Sequence, residues 1–390
     1  MPVPSLRFFR FVLVCLGFLV VLGPAEAGKI FVPMDDEQVD HLRAYGLAYW
    51  VLDKQGIDVD WLLNYRNGSF LCDDLPPIQN RARELGVRIE TIGDDKVAQI
   101  LAKIEDENME RVILEKAPKI GVYSPDYAEP WDDAVKLVLD YAQVPYESFY
   151  DKDILEGKLS KYDWIHLHHE DFSGQFGKFY SSFRFADWYR KQVTLAQLDA
   201  QKFGFQKVWQ LKHHVARQIR KFVVDGGFLF AMCSACDSLD IALAAGDTDI
   251  VASELDGDGI DQMYESKLDF SQSFAFQNFK LLTDPMVYEF SDIDISNNYM
   301  GDAGTFKMFE FSAKVDPIPT MLTQSHRNVI DGFFGQTTGF RKTLLKPSVT
   351  IMGENNDGLS VKYIRGDCGK GCWAFYGGHD PADVSHIVGE

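Results

Sequence analysis

The chain has 390 residues, of which 46% are apolar and 13% aromatic, a composition that indicates a folded globular protein and excludes a disordered one. Its formal net charge of −19 opposes binding to nucleic acid and to anionic membrane surfaces. The length is enough for one large domain or two smaller ones.

The first segment predicts an export signal. Arg7 and Arg10 precede the apolar run "FVLVCLGFLVVLG" at 11–23, and "AEA" at 25–27 has the small-x-small pattern of a cleavage site. The run is short for a stable membrane span, although an uncleaved anchor is the alternative. We therefore expect removal of residues 1–27 and a mature protein that is periplasmic or secreted.

Residues 28–117 are predicted to form an N-terminal α/β domain. The expected elements are a strand at 29–34, a helix at 36–56, a strand at 57–65, and helices at 76–86 and 94–116. The first three read as a βαβ unit, which implies parallel strands joined by a right-handed crossover.

The pattern starts again after Pro118, so residues 118–390 form a second predicted domain. Its expected elements are strands at 119–125, 145–150, 162–169 and 226–232, and helices at 130–143 and about 185–224, with the Arg and Lys side chains facing solvent. Strands that alternate with helices predict an α/β fold with a doubly wound, flavodoxin-like parallel sheet. Short strands at 348–355, 359–366 and 372–380 predict an antiparallel C-terminal extension.

Cys233 is the first candidate for chemistry, because it stands where an apolar strand gives way to a helical pattern. A sharp turn there would display the thiol at the carboxyl edge of the sheet, and the helix N-terminus would lower its pKa. Two alternatives remain open: a buried structural thiol, and a redox or disulfide pair with Cys236.

A nucleophilic cysteine needs a base, and His379 is the best candidate. It follows the apolar strand "CWAFY" and two glycines, so it is expected at a strand end on the same edge. Asp380 or Asp383 could orient it. The alternative is a histidine that only shapes a turn.

The segment "HLHHEDF" at 166–172 is the third feature. His166 and His168 share one face of a strand, since side chains repeat every two residues. The segment could form a wall of the catalytic pocket, or a metal site in which His168, Glu170 and His379 converge. A polar loop with one core histidine is the third possibility.

The acidic loop at 247–261 is another candidate for a cation, beside a less favoured zinc site built from the pairs Cys233/Cys236 and Cys368/Cys372. It departs from the EF-hand pattern because Ile260 stands where an oxygen ligand is needed, so a solvated loop is expected. No metal and no cofactor are predicted.

"FAMCSACDSLDIAL" together with "FYGGHDP" resembles the class I glutamine amidotransferase-like superfamily over about 119–390. In that superfamily a cysteine on a strand–helix elbow pairs with a histidine from a late strand, which corresponds here to Cys233 and His379. "GGHDP" also resembles the ThuA-like branch. The chain departs from the usual pattern at Ala235, where a glycine is common, and in His-Asp-Pro, which replaces His-Pro-Glu.

A second resemblance covers nearly the whole chain. "WLLNYRNGSF", "HLHHEDFSGQFGKFY" and "FYGGHDPAD" are similar to exported bacterial proteins labelled asparagine synthetase B. Such synthetases use a cysteine at the mature N-terminus, whereas cleavage after Ala27 would expose Gly28. No ATP-pyrophosphatase glycine–serine loop is visible in the sequence, so synthetase chemistry is not expected.

The sequence therefore predicts an exported hydrolase or amidotransferase-like enzyme that acts on a small molecule or sugar. The predicted catalytic residues are Cys233, His379 and Asp380. The predicted substrate-binding residues are His168, His169, Glu170, Asp171, Ser234 and Gly378. Two alternatives are a non-catalytic envelope protein that binds a ligand, and a metal-dependent hydrolase that uses the histidine segment. Neither a nucleic-acid partner nor an oligomeric state is predicted.

Overall fold

The computed structural model describes residues 28–125, 134–295, 305–316, 321–324, 328–330, 333–378 and 380–381. Within these residues the chain forms two main sheets with helices packed against them, and one of the sheets is partly parallel. The predicted α/β class is thus confirmed. The predicted signal segment, 1–27, lies outside the described residues.

The first sheet and its helices come from the N-terminal part of the chain. The elements are β1 (Lys29–Val32), α1 (His41–Trp50), β2 (Val59–Leu63), β3 (Ser69–Asp73), α2 (Pro76–Leu85), β4 (Glu90–Ile92), α3 (Asp94–Asp106) and β5 (Glu110–Leu114). The Asp40 side chain caps α1 by accepting from the N–H of Arg43. A π-turn extends α1 to Gly56, whose left-handed backbone ends it.

The strand order of this sheet is β4-β1-β3-β2-β5, and all neighbouring strands are antiparallel. β1 and β2 run in the same direction, but β3 lies between them. The predicted parallel direction of the two strands is therefore present, but they are not neighbours, and the arrangement is a split βαβ. The reason is the hairpin from β2 to β3, whose turn contains Asn67-Gly68, a dipeptide typical of tight turns.

The helix predicted over 94–116 is also wrong in its second half, because α3 ends at Asp106 and the chain returns as β5. Burial in β5 alternates residue by residue, with Val112 and Leu114 half-buried and Arg111 exposed. This alternation and the β-branched side chains favour an edge strand over a continued helix. The predicted boundary at 117/118 falls between this strand and the second sheet.

The second sheet begins after Pro118. Its region contains β6 (Ile120–Tyr123), α4 (Ala134–Ala142), β7 (Tyr146–Phe149), α5 (Asp151–Leu155), β8 (Trp164–Leu167), α6 (Tyr180–Phe183), α7 (Asp187–Lys202), α8 (Val208–Asp225), β9 (Phe228–Met232), α9 (Ser234–Ala245), α10 (Ser253–Asp256) and α11 (Tyr264–Lys267). The C-terminal part adds β10 (Phe306–Met308), β11 (Val329–Ile330), β12 (Phe333–Phe334), β13 (Phe340–Arg341), β14 (Thr350–Asn355), β15 (Ser360–Cys368), β16 (Gly371–Tyr376) and β17 (Asp380–Pro381).

The order of the second sheet is β11-β10-β14-β15-β16-β9-β8-β6-β7. The strands from β16 to β7 are mutually parallel, and the others pair antiparallel. The predicted antiparallel pairing of the tail is confirmed for β14, β15 and β16. However, β16 pairs with β9, so the tail completes the main sheet and brings its own residues to the carboxyl edge of the parallel strands.

The two sheets are joined by the packing of α1 on α4. Gly46 of α1 lies so close to α4 that an added Cβ would come within 1.8 Å of the Ala142 carbonyl oxygen. The Tyr49 hydroxyl also donates to the Pro118 carbonyl at 3.0 Å. This close approach requires glycine and fixes the N-terminal sheet against the second one.

Candidate functional site

Cys233 forms a strained elbow between β9 and α9. Its backbone has φ 51° and ψ −137°, outside the regions that L-residues favour. Its N–H continues the sheet by donating to the Tyr376 carbonyl at 2.9 Å, and its own carbonyl accepts from the N–H of Cys236 at 3.1 Å. Such strain costs about 1–3 kcal/mol and is concentrated at functional sites. The predicted elbow is thus present in the backbone.

The thiol itself is closed off from solvent. Cys233 is 0% exposed, and the loop at 335–339 lies over it, with the N–H of Gln336 3.1 Å from the sulfur. Burial raises the pKa of the Cys233 thiol to about 12, although the N–H groups of Thr337, Ser234 and Gln336 oppose this rise. The expectation of a lowered pKa is therefore wrong for this conformation, because desolvation outweighs the helix N-terminus.

The structure does not pair Cys233 with Cys236. All five cysteines of the described chain are free thiols, including Cys368 and Cys372 of the tail. Cys236 is buried in α9, where its sulfur lies 3.8 Å from the Tyr376 carbonyl oxygen, and burial raises its pKa well above the usual range. Cys236 is thus a core thiol with a local backbone partner.

A group of buried polar side chains surrounds the elbow, and we call Cys233, Asp237, Asp294, Thr337 and Lys362 the Cys233 cluster. The Thr337 hydroxyl donates to the Asp237 carboxyl at 3.1 Å. Burial and the nearby Asp294 raise the pKa of Asp237 well above its usual range, which favours its neutral form. Burial lowers the pKa of Lys362 to about 7, against the opposing effects of Cys233 and Asp294.

The predicted residues Ser234 and Gly378 hold the walls of this cluster in place. The Ser234 hydroxyl donates to the His169 carbonyl at 2.8 Å, so it ties α9 to the histidine segment. The N–H of Gly378 donates to the Thr337 carbonyl at 2.7 Å and so anchors the loop at 335–339. Both groups therefore have structural partners in this conformation.

His379, the predicted base, lies outside the described residues, as does Asp383. The backbone of Asp380 belongs to β17, which pairs with β12. The predicted catalytic arrangement of Cys233 with His379 and Asp380 therefore stays a prediction.

The histidine segment occupies the end of β8 as predicted. His166 and His168 are both buried, with ring centroids 5.9 Å apart, and His166 stacks on Phe230 of the neighbouring strand. The carboxylate of Glu170 accepts from the N–H of His168 at 2.9 Å. The Asp171 carboxylate accepts from Ser173 and Gly177, and so folds the following loop.

A cleft of about 590 Å³ opens beside this segment at the carboxyl ends of β6 and β8. Of the predicted binding residues, the cleft brings together His168, His169, Glu170 and Asp171. It does not include Cys233, Ser234 or Gly378. The cleft is lined by Tyr123, Ser124, Pro125, Tyr150, His168, His169, Glu170, Asp171, Gly174, Phe176, Gly177, Phe179, Trp188, Lys191, Gln192, Leu195, Ala196, Val208 and Lys212.

The floor of the cleft contains a buried ion pair that the sequence pattern did not reveal. The Lys212 ammonium donates to Asp151 at 2.8 Å, to the Tyr123 hydroxyl at 2.9 Å and to the Tyr150 hydroxyl at 3.2 Å. Tyr123 also donates to Asp151. The sequence predicts that Lys212 faces solvent on α8, and this prediction is wrong. Lys212 is buried because it pairs with Asp151 of α5, a residue far away in the sequence.

Across the described residues, the one group of three acidic, His or Cys side chains close enough to hold a metal ion is Asp249, Asp256 and Asp258. Lys207 already brings its ammonium to this group, 2.5 Å from Asp258 and 3.5 Å from Asp256. The Lys207 ammonium thus already gives this acidic group a positive partner, which is consistent with the predicted solvated loop.

Comparisons with known proteins give no family. No family model matches the chain, and no curated protein matches it. "Cytoplasmic Protein STM3548" from Salmonella typhimurium is 9% identical, with a TM-score of 0.33 over 70% of this chain and 93% of that one. "Cytoplasmic Protein STM1381" from Salmonella typhimurium LT2 is 11% identical, with a TM-score of 0.35 over 69% of this chain and 92% of that one.

The GH42 β-galactosidase Gan42B from G. stearothermophilus is 9% identical, with a TM-score of 0.29 over 68% of this chain and 28% of that one. At these identities and TM-scores the three likenesses carry no argument about function.

Every helix in the described parts of the chain is too short or too polar to cross a membrane.

Proposed function

We propose that this protein is a cysteine-dependent hydrolase in which Cys233 is the nucleophile and the cleft at β6 and β8 receives the substrate. The observation that carries the proposal is the positive φ of Cys233, a non-glycine residue whose backbone is held in strain at a strand–helix junction. The resemblance to the class I glutamine amidotransferase-like superfamily, including its ThuA-like branch, supports the same role. The substrate class is an amide or an ester.

The proposed fold of the parallel part is flavodoxin-like. In chain order the parallel strands are β6, β7, β8, β9 and β16, and their order across the sheet reads 2-1-3-4-5. In such sheets ligands bind where successive connections leave in opposite directions, which is between β6 and β8. The cleft lies at this position, which supports its role as the binding site.

In the proposed reaction the Cys233 thiol loses its proton and the thiolate attacks the carbonyl carbon. The leaving amine or alcohol departs with a proton, and water then hydrolyses the thioester. Three N–H groups now contact the sulfur: that of Ser234 belongs to α9 and can donate to the oxyanion, whereas those of Gln336 and Thr337 belong to the loop that covers the thiol. The loop at 335–339 must therefore move aside before substrate reaches the thiol.

The test is hydrolysis of p-nitrophenyl acetate and of a panel of small amides by the wild type and two matched variants, Cys233→Ala and Cys236→Ala. Both replacements remove one buried sulfur from the same helix region. We expect activity to be lost in Cys233→Ala and retained in Cys236→Ala. Equal activity in the two variants would overturn the proposal.

A second candidate function is ligand binding without catalysis. It is favoured by the separation of the cleft lining from the buried Cys233 thiol. A ligand found by thermal-shift screening should then bind Cys233→Ala as tightly as the wild type. It should bind Trp188→Ala more weakly, because Trp188 lines the cleft and is 48% exposed. Loss of binding in Cys233→Ala would contradict this candidate.

Export of the protein remains part of the proposal. The first strand begins at Lys29, so cleavage after Ala27 would leave the described fold intact. N-terminal sequencing of protein expressed from the full reading frame should find Gly28 as the first residue. An intact Met1 in fractionated cells would contradict the export signal.

A further inference from the structure

Asp237 is a buried carboxyl group that the mechanism above does not use. It lies in the first turn of α9, four residues after Cys233, and it is 0% exposed. Its Oδ1 accepts a hydrogen bond from the Thr337 hydroxyl at 3.1 Å. Its Oδ2 is also buried and has no hydrogen-bond partner among the residues that the structure describes. Because buried side-chain oxygens nearly always have a partner, the unpartnered Oδ2 calls for a functional explanation.

Thr337 contacts both the Cys233 sulfur and the Asp237 carboxyl. Its N–H hydrogen-bonds to the sulfur, and its hydroxyl donates to Oδ1 of Asp237. The preceding N–H, that of Gln336, lies 3.1 Å from the same sulfur. The thiol and the carboxyl are therefore separated by the width of one residue of the covering loop. When that loop moves aside, as the proposed reaction requires, both groups border the space that Thr337 now fills.

The helix geometry agrees with this arrangement. Cys233 is the N-cap residue of α9, and Asp237 lies in the first turn that follows. A separation of four residues corresponds to a rise of about 6 Å along a helix axis. An ester or amide group attached to the sulfur can bridge such a distance. The leaving atom of a substrate would thus come within reach of the carboxyl.

The carboxyl of Asp237 holds a proton in this environment. Burial and the nearby Asp294 raise its pKa well above the usual range, against the opposing effect of the Thr337 hydroxyl. An ionised carboxylate is far more costly to bury than a neutral carboxyl, so the neutral acid is favoured. A neutral carboxyl has one O–H donor. Since Oδ1 accepts from Thr337, the unpartnered Oδ2 is the atom that can donate this proton.

We propose that Asp237 is the general acid of the acylation step, which deepens the proposed function and rests on it. The loop first opens and water takes the thiol proton, so that the Cys233 thiolate can form a C–S bond with the carbonyl carbon. The bond from that carbon to the leaving oxygen or nitrogen then breaks, and the O–H proton of Asp237 passes to the leaving atom. The alcohol or amine departs neutral, and Asp237 becomes a carboxylate.

The second half of the cycle restores the neutral carboxyl. A water molecule gives a proton to the Asp237 carboxylate and its hydroxyl oxygen to the thioester carbon. The C–S bond breaks, the acid product leaves and Cys233 is a thiolate again. Over the full cycle one ester or amide and one water become one acid and one alcohol or amine. Asp237 therefore acts first as an acid and then as a base.

The test uses three acetate esters that deliver the same acetyl group but differ in how much the leaving group needs a proton: p-nitrophenyl, phenyl and ethyl acetate. p-Nitrophenolate leaves as a stable anion, whereas ethanol leaves only with a proton. The quantity measured is kcat/KM, which reports on the steps up to acylation. Asp237→Asn should lower it about hundredfold for ethyl acetate and less than about threefold for p-nitrophenyl acetate, with phenyl acetate between them.

The matched control is Asp240→Asn, the same replacement on the same helix. Asp240 is also 0% exposed. Its carboxylate accepts from the N–H groups of Phe274, Ala275 and Phe276 at 2.6, 2.7 and 2.9 Å, so its role is to hold that segment. Its replacement should lower stability but keep the ratios between the three esters. An equal fall for all three esters in Asp237→Asn would overturn the inference.

The wild type gives a second measure that needs no variant to fold. With a general acid in place, its kcat/KM should fall less steeply from p-nitrophenyl to ethyl acetate than the rate of N-acetylcysteine in solution. An equally steep fall would also overturn the inference.

The outcomes separate this inference from the hydrolase proposal. Ester hydrolysis that persists in Cys233→Ala, or hydrolysis of none of the three esters, would reject both. Hydrolysis that needs Cys233 but keeps the wild-type ester ratios in Asp237→Asn would reject the role of Asp237 alone. Hydrolysis that needs Cys233 and loses only the poorer leaving groups in Asp237→Asn would support both.

Discussion

The cleft and the Cys233 cluster lie at the same edge of one sheet but differ in their access to solvent. The cleft has a volume of about 590 Å³ and includes exposed side chains such as Trp188 and Lys191, whereas the cluster residues Cys233 and Lys362 are 0% exposed. The Ser234–His169 hydrogen bond joins the two regions. An open cleft thus lies beside a thiol that is kept out of water, and desolvation controls the pKa of the titratable groups around that thiol.

The largest expected effect concerns the cleft floor. Lys212→Met would leave Asp151 buried without its ammonium partner, which should destabilise the fold by about 3–5 kcal/mol. Urea unfolding would measure this change. Lys191→Met, on the exposed rim of the same cleft, serves as the control and should change the free energy of unfolding by less than about 0.5 kcal/mol. A small effect in Lys212→Met would mean that the floor is more open than described.

The next effect is acid destabilisation through His213, a buried residue whose ring nitrogen lies 2.8 Å from the Gly246 carbonyl at the end of α9. Burial lowers the pKa of His213 to about 4, below its ordinary value of 6.5. The neutral form is therefore favoured in the fold. Its stabilisation is complete above pH 6.5 and is lost as the pH falls toward 4, by about 3 kcal/mol in total.

Denaturant unfolding at several pH values would test this contribution. The slope between pH 6.5 and 4 should be smaller in His213→Gln than in the wild type. His41→Gln, on the partly exposed surface of α1, should keep the wild-type slope. An unchanged slope in His213→Gln would contradict the assignment.

The smallest effect concerns the cover of the thiol. The Gln336 side chain donates to the Gly177 carbonyl at 2.8 Å and so fastens the loop at 335–339 to the cleft wall. Gln336→Ala should weaken this closure by about 1 kcal/mol and raise the alkylation rate of Cys233 about fivefold. Thr338→Ala, in the same loop, is the control, because its hydroxyl bonds to the Gly335 carbonyl within the loop. Equal rates in both variants would show that another contact holds the loop.

The sequence predicted the elements of the parallel sheet and the elbow, because both depend on local pattern. An apolar run that ends at Met232 and continues as a helical period is enough to place the turn. The N-terminal pairing could not be predicted in the same way. Which strands become neighbours depends on contacts between distant residues, and the Asn67-Gly68 turn was the only local signal.

The burial of Lys212 and Lys362 could not be predicted for a related reason. Lys362 reads as one polar residue in the strand "LSVKYIRG", yet it is fully buried, with its ammonium near the Phe306 ring. Lys212 reads as a polar position of a helix, and its burial depends on Asp151. In both cases the environment is made by residues far away in the chain. The histidine segment was easier to place, because the carboxyl end of a parallel strand has a fixed position in such sheets.

The most direct measurement of the central claim is the location of a covalent adduct. The mature protein would be incubated with p-nitrophenyl acetate, quenched at low pH and mapped by peptide mass spectrometry. The account predicts an acetyl group on Cys233 that accumulates and then disappears as the thioester hydrolyses. Acetylation that leaves Cys233 unmodified, while exposed lysines react, would contradict a nucleophilic role for this cysteine.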